Sequence, residues 1–160
     1  MNFKKAVFII ILTAVIFFIQ QSFLVKLLPV NLLLLLIIWL SFSRRPESWL
    51  AALTAGLLLD FYSGILGPAL ISYSLVNFLI IYLAKHISLE SFSHFLLVSF
   101  AGLSAFFISY YLFLYIFAEW LTNKEISWIW KMSWWSFIKI IISHQLLLLM
   151  GYLVKPKVNR

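Results

Sequence analysis

Asp60 is the residue whose type and surroundings carry the most chemistry in this chain. It sits in Gly56-Leu-Leu-Leu-Asp60-Phe-Tyr-Ser63-Gly64-Ile-Leu-Gly67-Pro68, an apolar stretch punctuated by glycine. A carboxylate within lipid-spanning sequence costs about 2.5–3.5 kcal/mol on insertion scales, so a compensating partner is expected. Lys139 is the opposite charge placed in the same way, within the apolar run 133–154. Counted at a rise of about 1.5 Å per residue, Asp60 lies about 18 Å from the start of its segment and Lys139 about 9 Å from the start of its own. If those segments cross a core about 30 Å thick from opposite sides, the two charges come within about 3 Å of one level. The spacing therefore predicts an Asp60–Lys139 ion pair across the bundle. The alternative is that Lys139 snorkels to the interface alone.

A second group of polar residues falls at a similar depth: Gln20, Gln21, Asn31, Tyr73 and Asn77. Tyr73 and Asn77 are one helical turn apart. Such a cluster makes either a helix-to-helix hydrogen-bond network or the lining of a small pocket. No catalytic constellation accompanies it. There is no nucleophile beside a base, no paired carboxylate at one depth and no phosphate-cradling glycine loop. Ser63-Gly64 lacks the G-x-S-x-G frame of a nucleophile elbow. His86, His94 and His144 lack metal-ligand spacing, and the absence of cysteine excludes disulfides, cysteine zinc sites and thiol catalysis. No metal and no cofactor is expected.

The elements that must hold these groups are helices in lipid. Of 160 residues, 64% are hydrophobic and 11% charged; a soluble domain has about 25% charged residues. Mean hydropathy is +1.07. Charge-poor runs long enough to span mark six segments, at 6–25, 28–43, 48–66, 68–84, 92–118 and 133–154. The first is too long in its apolar core for a signal peptide, and no small-x-small cleavage site follows it. The whole chain reads as a single polytopic membrane domain, all-α, with lipid as its solvent.

Orientation follows from the cations. Six spans place Lys4, Lys5, Arg44, Arg45, Lys85, Lys155, Lys157 and Arg160 on one side and Lys26, Lys124 and Lys131 on the other, with Lys139 inside a span. Eight against three puts both termini in the cytoplasm. The net charge of +7 thus expresses topology; with no basic stripe or recognition motif, nucleic acid is not an expected partner. The segment 119–132 and the adjoining start of the last span hold five of the seven tryptophans. They are expected in an outer loop with a short helix on the membrane face. Two small-residue stripes, Ala52/Gly56/Asp60 and Ala101/Ala105/Ser109, mark packing seams. Asp60–Pro68 reads as a helix end, the glycines allowing the turn and Pro68 opening the next helix.

The motif Gly56-x-x-x-Asp60-x-x-Ser63-Gly64-x-x-Gly67, followed by an apolar helix with Tyr73 and ending Leu79-Ile-Ile-Tyr82-Leu, resembles the rod shape-determining protein MreD family. So does Pro29-Val-Asn31 running into Leu32–Leu40 and then a basic turn. The resemblance covers Gly56 to about Leu83, with weaker support back to Pro29. It implies a non-catalytic membrane component of the bacterial cell-elongation machinery in the cytoplasmic (inner) membrane. The implied partners are an MreC-like protein with one span, the RodA–penicillin-binding protein pair that builds peptidoglycan, and the actin-like MreB filament. It gives Gly56, Asp60, Ser63, Gly64, Gly67 and Pro68 a structural or partner-binding role. It also implies a bundle like the substrate-binding subunits of vitamin-uptake (ECF) transporters, which makes such a subunit the alternative function. The alanine-x-x-x-alanine contact motif of those subunits is missing: the first span has Ala6 and Ala14, eight apart.

Overall fold

The computed structural model describes residues 3–21, 30–43, 46–87, 91–122 and 134–154. These are all-helical, with no strand among them, and form six helices: α1 Phe3–Ile19, α2 Leu32–Phe42, α3 Glu47–Ser63, α4 Pro68–His86, α5 Phe92–Thr122 and α6 Trp134–Val154. Two, α4 and α5 as far as Phe117, are long and apolar enough to cross a membrane.

The bounds differ from the sequence expectation where local chemistry acts. α1 starts earlier and takes in Lys4 and Lys5. α2 is only 11 residues, about 16 Å, because Asn31 caps it in extended backbone rather than continuing it. α3 stops at Ser63 because Gly64 turns left-handed, φ 73°. α5 runs on through Thr122, so 119–122 is helix rather than loop; no glycine or proline interrupts it after Gly102. The rest of the tryptophan-rich segment up to 133 lies outside the described residues, as do Arg44, Arg45 and the last six residues.

α4 packs on α3, α5 and α2; α1 lies on α3, and α6 on α5. The short α2 touches all five other helices, and Leu33, Leu34, Ile37 and Ile38 are wholly buried there. Aromatic pairs fix the directions. Phe17 meets Tyr62, bringing the ends of α1 and α3 together. Phe42 meets Phe95 and Phe95 meets Tyr152, joining the end of α2, the start of α5 and the end of α6. One end of the bundle therefore gathers the starts of α1, α3 and α5 with the ends of α2, α4 and α6.

Polar side chains are buried alongside the apolar core, and large apolar side chains face outward. Thr13, Gln20, Ser41, Ser48, Asp60, Ser72, Asn77, Ser99, Ser109 and His144 are buried, whereas Phe8, Phe18, Phe61, Phe78, Ile108 and Met150 each expose 60% or more of their surface. Ala52, Gly56 and Asp60 form a buried seam on α3 as expected. On α5 the seam is displaced: Ala101 and Ala105 are half-buried, and Val98, Gly102, Leu103 and Phe106 are the residues pressed inward.

Gly56 sets the closest approach. A Cβ there would stand 2.4 Å from Leu70 Cα and 2.9 Å from Leu70 N, so α3 and α4 meet backbone to backbone. Gly56→Val should therefore force the hairpin apart and lower thermal stability, at a cost of about 1–3 kcal/mol or more. Gly64→Ala meets open space and carries only the left-handed strain, about 1–2 kcal/mol. Thermal unfolding of the purified variants, followed by tryptophan fluorescence, checks the order.

Candidate functional site

A helix start leaves four backbone N–H groups without intrahelical partners. In apolar surroundings each unpaired group is expensive. Asp60 resolves this for α4. Its Oδ2 accepts from Gly67 N at 2.8 Å and Leu70 N at 3.1 Å, and its Oδ1 accepts from Ala69 N at 2.8 Å. Pro68, the first helical residue, has no N–H, and Ile71 N already reaches Gly67 O at 2.9 Å. All four positions are thus accounted for by one carboxylate and one proline. The charge also faces the positive end of the α4 dipole.

Each residue of the motif has a place in this clasp. Gly56, one turn before Asp60, lets α3 lie against α4 closely enough for the carboxylate to reach. Gly64 reverses the chain and returns its N–H to Asp60 O at 3.0 Å. Ser63 Oγ donates to the same carbonyl, also at 3.0 Å. Gly67, with φ 118°, adopts a backbone that L side chains avoid, and a Cβ there would strike the Phe117 ring of α5 at 2.6 Å. Asp60 itself is 1% exposed.

The expected Asp60–Lys139 pair is not formed. Both carboxylate oxygens are taken by backbone N–H groups, and the Lys139 side chain is exposed on α6. The expectation looked for a countercharge and overlooked backbone dipoles. Gly67-Pro68, a marked helix start seven residues after an aspartate, was the available signal.

The polar cluster makes a second cap, at the start of α2. Gln20, the residue after α1, accepts Leu33 N through Oε1 at 3.3 Å. Asn31 Oδ1 accepts Leu34 N at 3.0 Å. Asn31 N donates to His144 Nε2 of α6 at 2.8 Å. Because a backbone N–H only donates, Nε2 is the acceptor and Nδ1 carries the proton, given to Ile140 O at 2.7 Å. Asn31 Nδ2 donates to Tyr73 Oη at 2.8 Å, and the hydroxyl faces Asn31 Oδ1 at 3.1 Å. Gln20, Asn31 and Tyr73 are therefore brought to the same cap: Gln20 Oε1 and Asn31 Oδ1 take backbone N–H groups, and the Asn31 and Tyr73 side chains bond each other. Gln21 is half-buried.

Asn77 belongs to a different contact. Ser41 Oγ stands 2.6 Å from both Ile37 O and the Asn77 side-chain oxygen, while Asn77 Nδ2 is unpaired. Ser99 Oγ has the same relation to Leu96 O and Gln145 Oε1, both at 3.0 Å, with Gln145 Nε2 unpaired. A hydroxyl has one proton. Turning each amide over makes its nitrogen a donor to the serine, whose proton then serves its own helix carbonyl. These contacts tie α2 to α4 and α5 to α6. Sequence reasoning missed Ser41, Ser99, His144 and Gln145, since an isolated polar residue in an apolar run does not name its partner.

Among the described residues no group of three or more His, Cys, Asp or Glu is placed to hold a metal. The chain matches no protein-family model, no curated protein and no solved structure.

Asp60→Ala should leave three buried N–H groups unpaired and cost about 3 kcal/mol or more. Asp60→Asn, which puts an amide donor against N–H groups, should recover little of that. Lys139→Met should leave thermal stability within about 0.5 kcal/mol of the parent. Melting of the three purified variants checks this, and equal loss in Asp60→Asn and Lys139→Met would restore the ion pair. Separately, His144→Phe should loosen α6 from the α2 cap, costing about 1–3 kcal/mol for the unpaired Asn31 N–H, read in the same assay.

Proposed function

We propose that this chain is a multi-pass membrane protein of the cell membrane, with six membrane segments and both termini cytoplasmic, that serves as a non-catalytic scaffold. The observation that carries this reading is the placement of polarity: many large apolar side chains outside, and hydrogen-bonded polar ones inside with the apolar core. Such a surface suits hydrocarbon, and such paired polar groups suit an interior without water. The alternation of helix directions supports the topology, because it gathers Lys4, Lys5, Lys85 and His86 at one end, the end to which the cation count assigns the cytoplasm.

Within that reading, α2 is a half-length helix, permitted at membrane depth because its N-terminus is buried in protein and capped by protein groups. The choice of a scaffold over a ligand-binding subunit is supported by the fate of the polar cluster. Gln20, Asn31 and Tyr73 are occupied by helix-to-helix bonds, which serve to fix the bundle. The assignment to the cell-elongation machinery, with an MreC-like partner, rests on the resemblance of Gly56–Leu83 to the MreD family. In that role the clasped α3–α4 hairpin is the rigid element, and exposed Phe61, Tyr62 and Leu66 at its tip are presented at the outer face.

Two experiments test this. The chain has no cysteine, so single cysteines report topology directly. Ile65→Cys and Lys124→Cys should react with an impermeant maleimide in intact cells, while Lys5→Cys and Lys157→Cys should react only after lysis; the opposite pattern overturns the orientation. Affinity capture of the tagged chain from its native membrane should bring down a single-span protein with an extracytoplasmic domain. Recovery of a vitamin-like small molecule with an ATPase pair would instead favour the transporter subunit.

A further inference from the structure

His144 is wholly buried on α6, and its two ring nitrogens have opposite duties. Nδ1 donates to Ile140 O at 2.7 Å, and Nε2 accepts the Asn31 N–H at 2.8 Å. The two bonds exist together only for the neutral ring. A protonated imidazole carries a hydrogen on each nitrogen and accepts at neither. Protonation therefore sets an N–H of the ring against the N–H of Asn31. The other cross-helix side-chain contacts of α6 and α2, Ser99–Gln145 and Ser41–Asn77, hold no titratable group.

The surroundings of the ring decide what a proton there would meet. No side chain of α2 titrates. From α5 the Phe107 ring stands against the imidazole, nearly perpendicular, with centroids 5.8 Å apart; beyond it on that helix the ionisable side chains are Tyr110, Tyr111, Tyr115 and Glu119. α4 brings Tyr73, whose hydroxyl is bonded to Asn31. Both oxygens of the Asp60 carboxylate are taken by α4 backbone. On α6 itself the other ionisable groups are Lys139, exposed, and Tyr152. Lys26, Lys124, Glu125 and Lys131 belong to segments outside the described residues. The described hydrogen bonds of the ring, a backbone N–H at one nitrogen and a backbone carbonyl at the other, hold the neutral form.

We propose that the His144–Asn31 bond is an acid-sensitive latch between α6 and the α2 cap, closed by the neutral imidazole and opened by a proton at Nε2. The opening is one-sided. α6 keeps its Ser99–Gln145 contact with α5, and Asn31 keeps Leu34 N and Tyr73. What is lost is the tie between α6 and the cap of the helix that touches every other. The latch needs only the geometry of the cap, so it holds whichever end of the bundle faces the cytoplasm and whatever the chain assembles with.

Linkage gives the size and sign of the effect. The closed latch takes the neutral ring, while the ring of an opened latch titrates near the ordinary histidine value of about 6.5. The closed form is therefore fully favoured above that pH, and each unit below it shifts the balance toward the open form by about tenfold.

The Asn31 amide reads the latch. In the isotope-labelled chain in nanodiscs, its protection factor, corrected for the intrinsic pH dependence of exchange, should fall about tenfold between roughly pH 7.5 and 5.5. The protection of Gly67, at the Asp60 clasp, should hold steady over the same range. His144→Gln offers an amide oxygen that accepts and does not titrate, so the fall at Asn31 should be absent. If that variant does not fold, His144→Phe replaces it: with no acceptor at any pH, Asn31 should be poorly protected at both values and show no fall. A constant protection factor at Asn31 in the unmodified chain overturns the latch, as does an equal fall in the variant. A fall that Gly67 shares also overturns it, because general loosening of the bundle then replaces a local release.

Discussion

A helix cannot begin in an apolar environment unless something accepts the hydrogen bonds of its first turn. That constraint organises this bundle. Two of its helices, α2 and α4, begin where their N-termini are covered by protein, and in each case side chains complete the backbone. For α4 the agent is one carboxylate from the preceding helix. For α2 it is a set of three residues from α1's end, the cap itself and α6. The polar residues at these two caps are thus placed by the needs of the backbone.

The two caps differ in what they join. Asp60 closes a local hairpin: donor and acceptor are within ten residues of each other, and Gly56 and Gly64 bring them together. The cost of burying the carboxylate is offset by three charge-assisted bonds and the helix dipole. The Asn31 cap is long-range. It couples α1, α2, α4 and α6 through Gln20, Tyr73 and His144, so it can form only when the bundle is assembled. One makes a rigid building unit; the other ties the units together. With α2 in contact with every other helix, loss of its cap would be felt throughout.

Much of this was legible in the sequence. Apolar runs marked where the six helices lie, and Gly64, Gly67 and Pro68 marked the α3–α4 turn because left-handed backbone and helix starts have strong residue preferences. Asp60 stood out as a charge needing a partner. The partner itself was misread, because backbone N–H groups carry no letter in a sequence and a lysine does. Depth counted along two helices could not say that Lys139 points outward. Of the expected polar cluster, Gln20, Asn31 and Tyr73 meet at the α2 cap, whereas Asn77 pairs with Ser41. His144 was invisible as a member, since its contact with Asn31 spans 113 residues.

The clasp at Asp60 is tested most directly by the amide protons it holds. Measured by NMR in micelles or nanodiscs, the amides of Gly67, Ala69 and Leu70 should exchange slowly in the parent chain, far more slowly than that of exposed Leu66. In Asp60→Asn those three should become fast while amides in the middle of α4 stay protected. Fast exchange at Gly67, Ala69 and Leu70 in the parent chain, or exchange indifferent to the substitution, would contradict the capped hairpin on which this architecture stands.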